Sequence, residues 1–170
     1  MAIVAADLKM YLTGGSGNTD PLASFGGAVS STELTNNSLN NLWADITGDQ
    51  AGTGRTRYRC VAIKNTHATL GLTSSKLWID TNTTSTSDTI TIGLDLAGVN
   101  ATPNTIANET TAPSPAVTFV TAVDKANGLS VGSVAAGQYY GVWIKNVVDV
   151  SASASTANQY ILKWEGDTPA

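Results

Sequence analysis

The segment RTRYRCVAIKNTHATL, residues 55–70, concentrates the side chains of this chain that could do chemistry. It contains all three arginines, the single cysteine, Cys60, and the single histidine, His67. A thiol and an imidazole can act as nucleophile and general base, but these two are separated by roughly 23 Å if the strand between them stays extended. Only a chain that folds back at HATL could bring them together. We therefore predict that the protein is not an enzyme and has no catalytic residues.

Other kinds of site are disfavoured by residue counts and spacing. No set of His, Cys and carboxylate side chains has the spacing of a zinc site. The segment GDQAGTGR, residues 48–55, lacks the Lys followed by Ser or Thr of a phosphate-binding loop, and indicates a flexible lead-in to a strand. Five aspartates lack the D-x-D-x-D spacing of a calcium loop, and turn capping explains them more simply: Asp45, Asp49, Asp80, Asp88 and Asp95. We predict no cofactor and no metal.

The composition fits one globular domain. The 170 residues are 42% apolar and 13% charged, which is enough for a single core. The net charge is −4, and no run of basic residues could follow a nucleic-acid backbone. No segment approaches 18 apolar residues, and the start MAIVAADLKM lacks a secretory signal. We expect neither a nucleic acid nor a membrane as partner, and synthesis in a cytoplasm without an internal disulfide.

Alternation of apolar and polar residues predicts strands along most of the chain. In DTITIGLDL, residues 88–96, four aliphatic residues alternate with Thr, Gly and Asp. Segments rich in β-branched and aromatic residues predict further strands: RYRCVAIKN, LGLTSS, SKLWID, AVTFVTAV, LSVGSV, YYGVWIKNVV and QYILKWEG. Turn-rich segments separate them, and the crossover helices of a parallel sheet are missing. We predict an all-β fold, an antiparallel β-sandwich of about eight strands with an Ig-like or jelly-roll architecture.

The N-terminal part of the chain predicts a separate unit. Residues 1–37 contain a candidate strand followed by a segment rich in Gly, Ser, Thr and Asn, which favours an extended arm. Residues 38–170 then form the β-sandwich domain. The one predicted helix lies in NSLNNLWADI, where Ser38 could cap and the apolar residues fall at helical spacing, with a strand as the alternative.

The two faces of the strand RYRCVAIKN are both partly apolar. Tyr58, Cys60 and Ala62 share one face, and the other carries three arginines and two aliphatic residues. Such a strand requires a bulge near residue 60 or a covering layer on both faces. Because guanidinium groups suit protein interfaces, the three arginines could contact a partner. Alternatively, they lie on a solvated edge and pair with Asp or Glu residues of the next strand. The second face is our candidate interface: Arg55, Arg57, Arg59, Val61 and Ile63.

Three tryptophans lie within predicted strands and allow two interpretations. If Trp78, Trp143 and Trp164 shared one outer face, they could form a flat sugar-binding platform. Alternatively, their indole rings lie in the core or at a subunit contact, which is where most strand tryptophans are found. The sequence favours the buried interpretation.

Several segments resemble a family of small virion structural proteins of tailed bacteriophages. The resemblance is carried by LNNLWADITGDQAGTGRTRYRCVAIKNTHATLGL, LWIDTNTTSTSDTITIGL and GQYYGVWIKN together with the terminal EGDT. It implies a capsid decoration or cement protein on the head surface of the virion, bound to the major capsid protein, to sister copies of itself as a homo-oligomer, or to both. The alternatives are a glycan-binding or host-adhesion module on the same particle, and a tail or neck component.

Overall fold

The computed structural model describes residues 2–168, which form seven strands in two antiparallel sheets. The strands are β1 (Leu8–Leu12), β2 (Arg55–Asn65), β3 (Leu72–Thr81), β4 (Asp88–Val99), β5 (Leu129–Val134), β6 (Tyr139–Val148) and β7 (Ile161–Asp167). A four-stranded sheet has the order β1-β2-β6-β4, and a three-stranded sheet has the order β5-β3-β7. The prediction of an all-β antiparallel sandwich is confirmed, whereas the choice between Ig-like and jelly-roll types stays a prediction.

Two strand predictions differ from the structure. LGLTSS and SKLWID contribute to one continuous strand, β3. AVTFVTAV, residues 116–123, is not a strand, because its backbone bonds go to both sheets in turn. Val120 bridges Ile92 of β4, and the carbonyl oxygen of Ala122 accepts from the N–H of Ile79 in β3. The segment therefore crosses from one sheet to the other at the side of the sandwich.

The predicted helix was placed in the wrong segment. NSLNNLWADI forms turns and irregular structure, and helix α1 spans Gly48–Thr53, where the sequence indicated a flexible lead-in. A capping box begins α1: Thr47 Oγ1 accepts from the N–H of Gln50 at 3.3 Å, and Gln50 Oε1 accepts from the N–H of Thr47 at 3.2 Å. Leu42 is buried in the core whereas Leu39 is 84% exposed, so their helical spacing does not make one apolar face. Two short 3-10 helices span Ala5–Asp7 and Pro21–Ala23.

The main core lies between the two sheets. It is formed by alternate residues of the facing strands, whose side chains meet across the sandwich as the period of two requires. The four-stranded sheet contributes Val61, Ile63, Ile90, Ile92, Val142 and Ile144, and the three-stranded sheet contributes Leu72, Leu77, Ile79, Val131, Val134 and Trp164. Full burial of one such side chain stabilises the fold by about 1.5–3 kcal/mol. We call the side of the four-stranded sheet that faces this core its inner face.

The outer face of the four-stranded sheet is covered by irregular segments of the same chain. A second core lies there, made of buried Cys60, Ile106 and Trp143 with Phe25, Tyr58, Val117 and Phe119 packed around them. Glycines on this face allow the cover to approach closely. A Cβ atom at Gly141 would lie 2.7 Å from Cγ of Pro103, and one at Gly93 would lie 2.5 Å from the carbonyl oxygen of Thr118. Both faces of the sheet are therefore buried by this chain.

The N-terminal segment contacts the four-stranded sheet along much of its length. Strand β1 pairs with β2 from Leu8 opposite Asn65 to Leu12 opposite Val61. Beyond β1, the fully buried Thr13 donates through Oγ1 to the carbonyl oxygen of Cys60 at 2.8 Å. The division into an arm of residues 1–37 and a sandwich of residues 38–170 stays a prediction, and the structure adds that part of this segment is a strand of the sandwich.

Candidate functional site

The five residues predicted as an interface lie on the inner face of β2. Val61 and Ile63 are fully buried between the sheets, and Arg57 and Arg59 are only 4% and 2% exposed. The side chain of Arg55, at the start of the strand, is 26% exposed. The layer that covers the apolar residues of this face is the chain's own second sheet. Contact of the five residues with a partner remains a prediction, and Arg55 is the one among them that reaches the surface.

Strand β2 has no bulge at the position where the sequence allowed one. Its register with β6 is unbroken from Arg55 opposite Val148 to Lys64 opposite Tyr139. The bulge near residue 60 is therefore wrong, and the covering of both faces is the correct alternative. The strand tolerates apolar residues on both sides because the second sheet lies on one side and irregular segments lie on the other.

Glu109 joins two members of the arginine row, which we define as Arg55, Arg57 and Arg59. Its Oε1 accepts from Nη2 of Arg55 at 2.6 Å, and its Oε2 accepts from Nη2 of Arg59 at 2.7 Å. Burial raises the pKa of the Glu109 carboxyl, but the hydrogen bonds and charges of the two arginines together outweigh burial and hold that pKa below its usual range. The carbonyl oxygen of Glu109 also accepts from the N–H of Tyr58 at 2.7 Å. Glu109 thereby holds its irregular segment on the edge of β2.

Arg57 begins a polar network at the same end of the sandwich. Its Nε and Nη2 donate to Oδ1 of Asn146 at 3.1 and 2.8 Å, and its Nη1 donates to the carbonyl oxygen of Ala44 at 2.7 Å. Asn146 and Asn158 both donate through Nδ2 to the carboxylate of Asp88. Burial raises the pKa of Asp88, although the hydrogen bond from Asn146 and the charge of Arg57 oppose the rise. The network connects β2, β4, β6 and the segment that leads into β7.

Aromatic rings flank the arginine row. Cζ of Arg57 lies 5.0 Å from the ring centroid of Trp43, and Cζ of Arg59 lies 5.2 Å from that centroid and 4.8 Å from the ring centroid of Phe25. Burial lowers the pKa of Arg57 and of Arg59, yet a guanidinium stays protonated in proteins. The rings thus give these buried cations favourable electrostatic contacts in addition to their hydrogen bonds.

Cys60 and His67 lie in different environments. Cys60 is fully buried on the outer face, where burial and the nearby charge of Asp95 raise the pKa of its thiol. A buried thiol that stays protonated is a poor nucleophile. His67 lies beyond the end of β2, and its Nδ1 accepts from the N–H groups of Thr69 and Leu70 at 3.1 and 2.9 Å. One residue packs the outer core and the other closes a turn.

The three strand tryptophans are buried, and they lie in different layers. Trp78, Trp143 and Trp164 are 5%, 0% and 8% exposed. Trp164, opposite Leu77, faces the core between the sheets, whereas Trp143 lies on the outer face of the four-stranded sheet. Trp78, opposite Lys163, is buried on the other face of β3 from Leu77 and Ile79. The buried interpretation is confirmed. A sugar-binding platform made of these three rings is excluded, because such a platform needs exposed rings on one face.

Two carboxylates have structural roles that only the structure reveals in full. Asp95 is 1% exposed, and its Oδ2 accepts from Nε1 of Trp143 at 2.7 Å. It also accepts from the N–H of Ala97 at 2.8 Å, a local side-chain bond within β4. Glu109 is the single charged residue between Asp95 and Asp124. That isolation was a signal in the sequence for a carboxylate with a specific partner.

Neither a metal centre nor a membrane-spanning helix is found in the part of the chain that the structure describes. Within residues 2–168, no three His, Cys, Asp or Glu side chains are grouped so that they could hold a metal ion. No helix in the same range is long and apolar enough to cross a membrane. No protein-family model, no curated protein and no solved structure matches the chain.

Proposed function

We propose that this protein is a structural component of a tailed-bacteriophage virion, and that it acts as a capsid decoration or cement protein. In this role it binds the major capsid protein lattice on the surface of the head, alone or with sister copies, and stabilises the shell. The protein is made in the cytoplasm of the host bacterium and has no catalytic activity.

One observation carries the proposal: the reactive side chains of residues 55–70 are used to hold the fold together. The guanidinium groups of Arg55 and Arg59 bind Glu109, and that of Arg57 binds Asn146. Cys60 is enclosed in the outer core, and His67 closes a turn. This use of polar groups suits a protein whose task is mechanical. It supports a structural role over a catalytic one.

The sequence segments around β2 and β6 give further support. They are the segments that resemble virion structural proteins, and here they form the two central strands of the four-stranded sheet. Both faces of these strands are buried by the chain itself. Close packing on both faces makes these strands rigid, which suits a protein with a structural role.

The test uses virions of the phage that encodes the chain. Particles are separated into heads and tails, and each fraction is probed for the protein by mass spectrometry. We expect it in the head fraction, in many copies per particle. Heads prepared without the protein should lose DNA at a lower temperature than complete heads, and purified protein added back should restore that temperature.

The same experiment distinguishes the other placements. Recovery in the tail fraction alone would replace decoration of the head by a tail or neck role. Absence from all virion fractions would reject the virion proposal altogether. Purified protein carrying Trp143→Ala serves as a control for folding, because a protein with a disrupted core should fail to restore the heads.

A further inference from the structure

Strand β7 ends the three-stranded sheet with an edge whose backbone bonds to no described residue outside β3. Its one neighbour is β3. The edges of the four-stranded sheet are different. At β1 the N–H of Leu12 donates to the carbonyl oxygen of Thr32, and at β4 Ile92 and Val120 exchange both backbone bonds. Within residues 2–168, the outer edge of β7 has no backbone hydrogen bond of this kind.

The pairing with β3 determines which residues of β7 present their backbone to this edge. The N–H of Ile79 donates to the carbonyl oxygen of Ala122 and so points away from β7. Ile79 and its opposite residue Leu162 therefore form a pair without hydrogen bonds between them. Because bonding directions alternate along a strand, Leu162 and Trp164 direct their N–H and C=O groups to the free edge. Gly166 has the same parity along β7, at the point where the register with β3 is interrupted between Glu165 and Asp167.

The charges on β7 complement the same strand running in the opposite direction. Lys163 and Glu165 flank Trp164, and both are exposed. When two copies of β7 pair antiparallel with Trp164 opposite Trp164, each Lys163 lies opposite Glu165 of the other copy. A shift to either neighbouring hydrogen-bonded register places Lys163 opposite Lys163 or Glu165 opposite Glu165, which is destabilising. Charge thus selects the Trp164-centred register over both neighbours.

A groove of about 450 Å³ borders the same strand. Its lining includes Ile3, Leu8 and Leu72, and Trp164 and Gly166 contribute from β7. Strand β5, at the other edge of the sheet, carries no charged residue and does not line this groove. The register with β3 is interrupted at two points for β5 and at two points for β7. The charges and the groove therefore distinguish the β7 edge from the β5 edge.

We propose that β7 is a self-pairing edge that joins two copies of this chain. The two β7 strands pair antiparallel about a two-fold axis at Trp164, and the two three-stranded sheets become one continuous sheet of six strands. Trp164 bonds with Trp164 of the second copy, and Leu162 bonds with Gly166. This pairing does not depend on the proposed virion role, because it needs only the chain itself.

The test is a charge swap measured by sedimentation velocity. Lys163 and Glu165 also form exposed pairs within the chain, with Asp80 at 2.9 Å and with Lys125 at 3.0 Å. Lys163→Glu and Glu165→Lys each place like charges opposite each other in the dimer. The double variant restores opposite charges between copies but leaves like charges beside Asp80 and Lys125. It therefore separates pairing between copies from pairing within the chain.

We expect the wild type to shift from 17.5 kDa to twice that mass as its concentration rises from about 1 to about 300 μM. Each single variant should bind itself at least about tenfold more weakly. An equimolar mixture of the two single variants, and the double variant alone, should regain the wild-type affinity. Lys9→Glu, which makes the same charge change at the covered edge strand β1, should leave association unchanged.

Three outcomes would overturn the proposal. They are a wild type that stays monomeric throughout this range, single variants that associate as well as the wild type, and a double variant that is weaker than either single one. Amide hydrogen exchange on the wild type gives a measurement that needs no variant. Exchange at Leu162 and Trp164 should slow as protein concentration rises, while exchange at Leu12 stays constant. Equal behaviour of these amides would also reject self-pairing.

Discussion

The two faces of the four-stranded sheet are buried to a similar degree by different means. On the inner face, Val61 and Ile144 are covered by the regular strands of the second sheet. On the outer face, Cys60 and Trp143 are covered by irregular segments whose backbone bonds go to strand edges and to one another. A sheet can therefore be enclosed within one short chain without a third regular layer.

The difference lies in how each cover is held. The inner cover depends on apolar area, since aliphatic side chains interdigitate along several strands. The outer cover depends on a few specific contacts. Asp95 accepts from the N–H of Asn104 in the cover, Glu109 of the cover binds two arginines of β2, and Gly141 leaves room for Pro103. We therefore expect the outer cover to respond to single polar or glycine substitutions more than the inner one does.

Removal of residues 1–37 should reduce the stability of the fold more than any other change considered. The deletion takes away strand β1 and, with Thr13 and Ser24, part of the outer cover at Cys60. We expect a chain without a cooperative unfolding transition, because the loss approaches the whole stability of a domain of about 5–15 kcal/mol. Circular dichroism during thermal unfolding is the measurement. A cooperative transition near that of the full chain would instead support the arm as a separate unit.

Trp143→Ala should cost about 3–5 kcal/mol in the free energy of unfolding, since it deletes a fully buried indole from the outer core. Trp164→Ala makes the equivalent deletion in the core between the sheets. Denaturant unfolding of both variants compares the two faces directly. A loss below about 1 kcal/mol for Trp143→Ala would show that the outer cover detaches at little cost.

Gly141→Ala should cost about 1–3 kcal/mol, because the added Cβ would lie within 2.7 Å of Pro103 Cγ and 3.1 Å of Asp95 Cβ. Gly48→Ala is the matched control, since nothing lies within 4 Å of its new methyl group and it begins helix α1. The control should change stability by no more than about 1 kcal/mol. Equal effects of the two substitutions would contradict the close approach of the cover.

Glu109→Gln should have the smallest effect, about 1 kcal/mol at neutral pH, because the carboxylate is partly screened by solvent. The pKa of Glu109 is depressed in the folded protein, so its stabilisation is complete above the unfolded pKa and is lost as pH falls through the folded pKa. We expect the wild type to lose more stability on acidification than the variant. Glu33→Gln, at an exposed pair with Lys9, is the control. Parallel pH profiles of wild type and Glu109→Gln would argue against the Arg55–Glu109–Arg59 contact.

For strand β2, the sequence predicted which residues share a face but not which segments cover each face. The alternation of side chains along a strand correctly placed Tyr58, Cys60 and Ala62 on the face opposite the arginine row. Apolar residues on both faces correctly indicated that both faces are covered. The source of each cover was not predictable, because it depends on contacts between positions far apart in the chain, such as Arg59 with Glu109 and Cys60 with Ser24. The sequence therefore suggested a partner where the chain covers itself.

The helix prediction shows a second limit of local pattern. Helical spacing in residues 37–46 was overridden by tertiary packing, which buries Leu42 and leaves Leu39 exposed. The actual helix α1 begins with a capping box, Thr47 with Gln50, which the sequence contains as a Thr followed three residues later by a Gln. In a helix this short, most N–H groups have no partner within the helix, so the capping bonds matter more than the apolar pattern.

By itself, the sequence determined the all-β class and the strands with clear alternation, because a period of two is a local property of the backbone. It also determined that the strand tryptophans favour burial, since indole rings are large and apolar. The tertiary structure alone decided which segments cover which face, that Arg57 and Arg59 are internal, and that β7 presents an open edge. Those features depend on the order and register of strands distant in the chain, which no local pattern encodes.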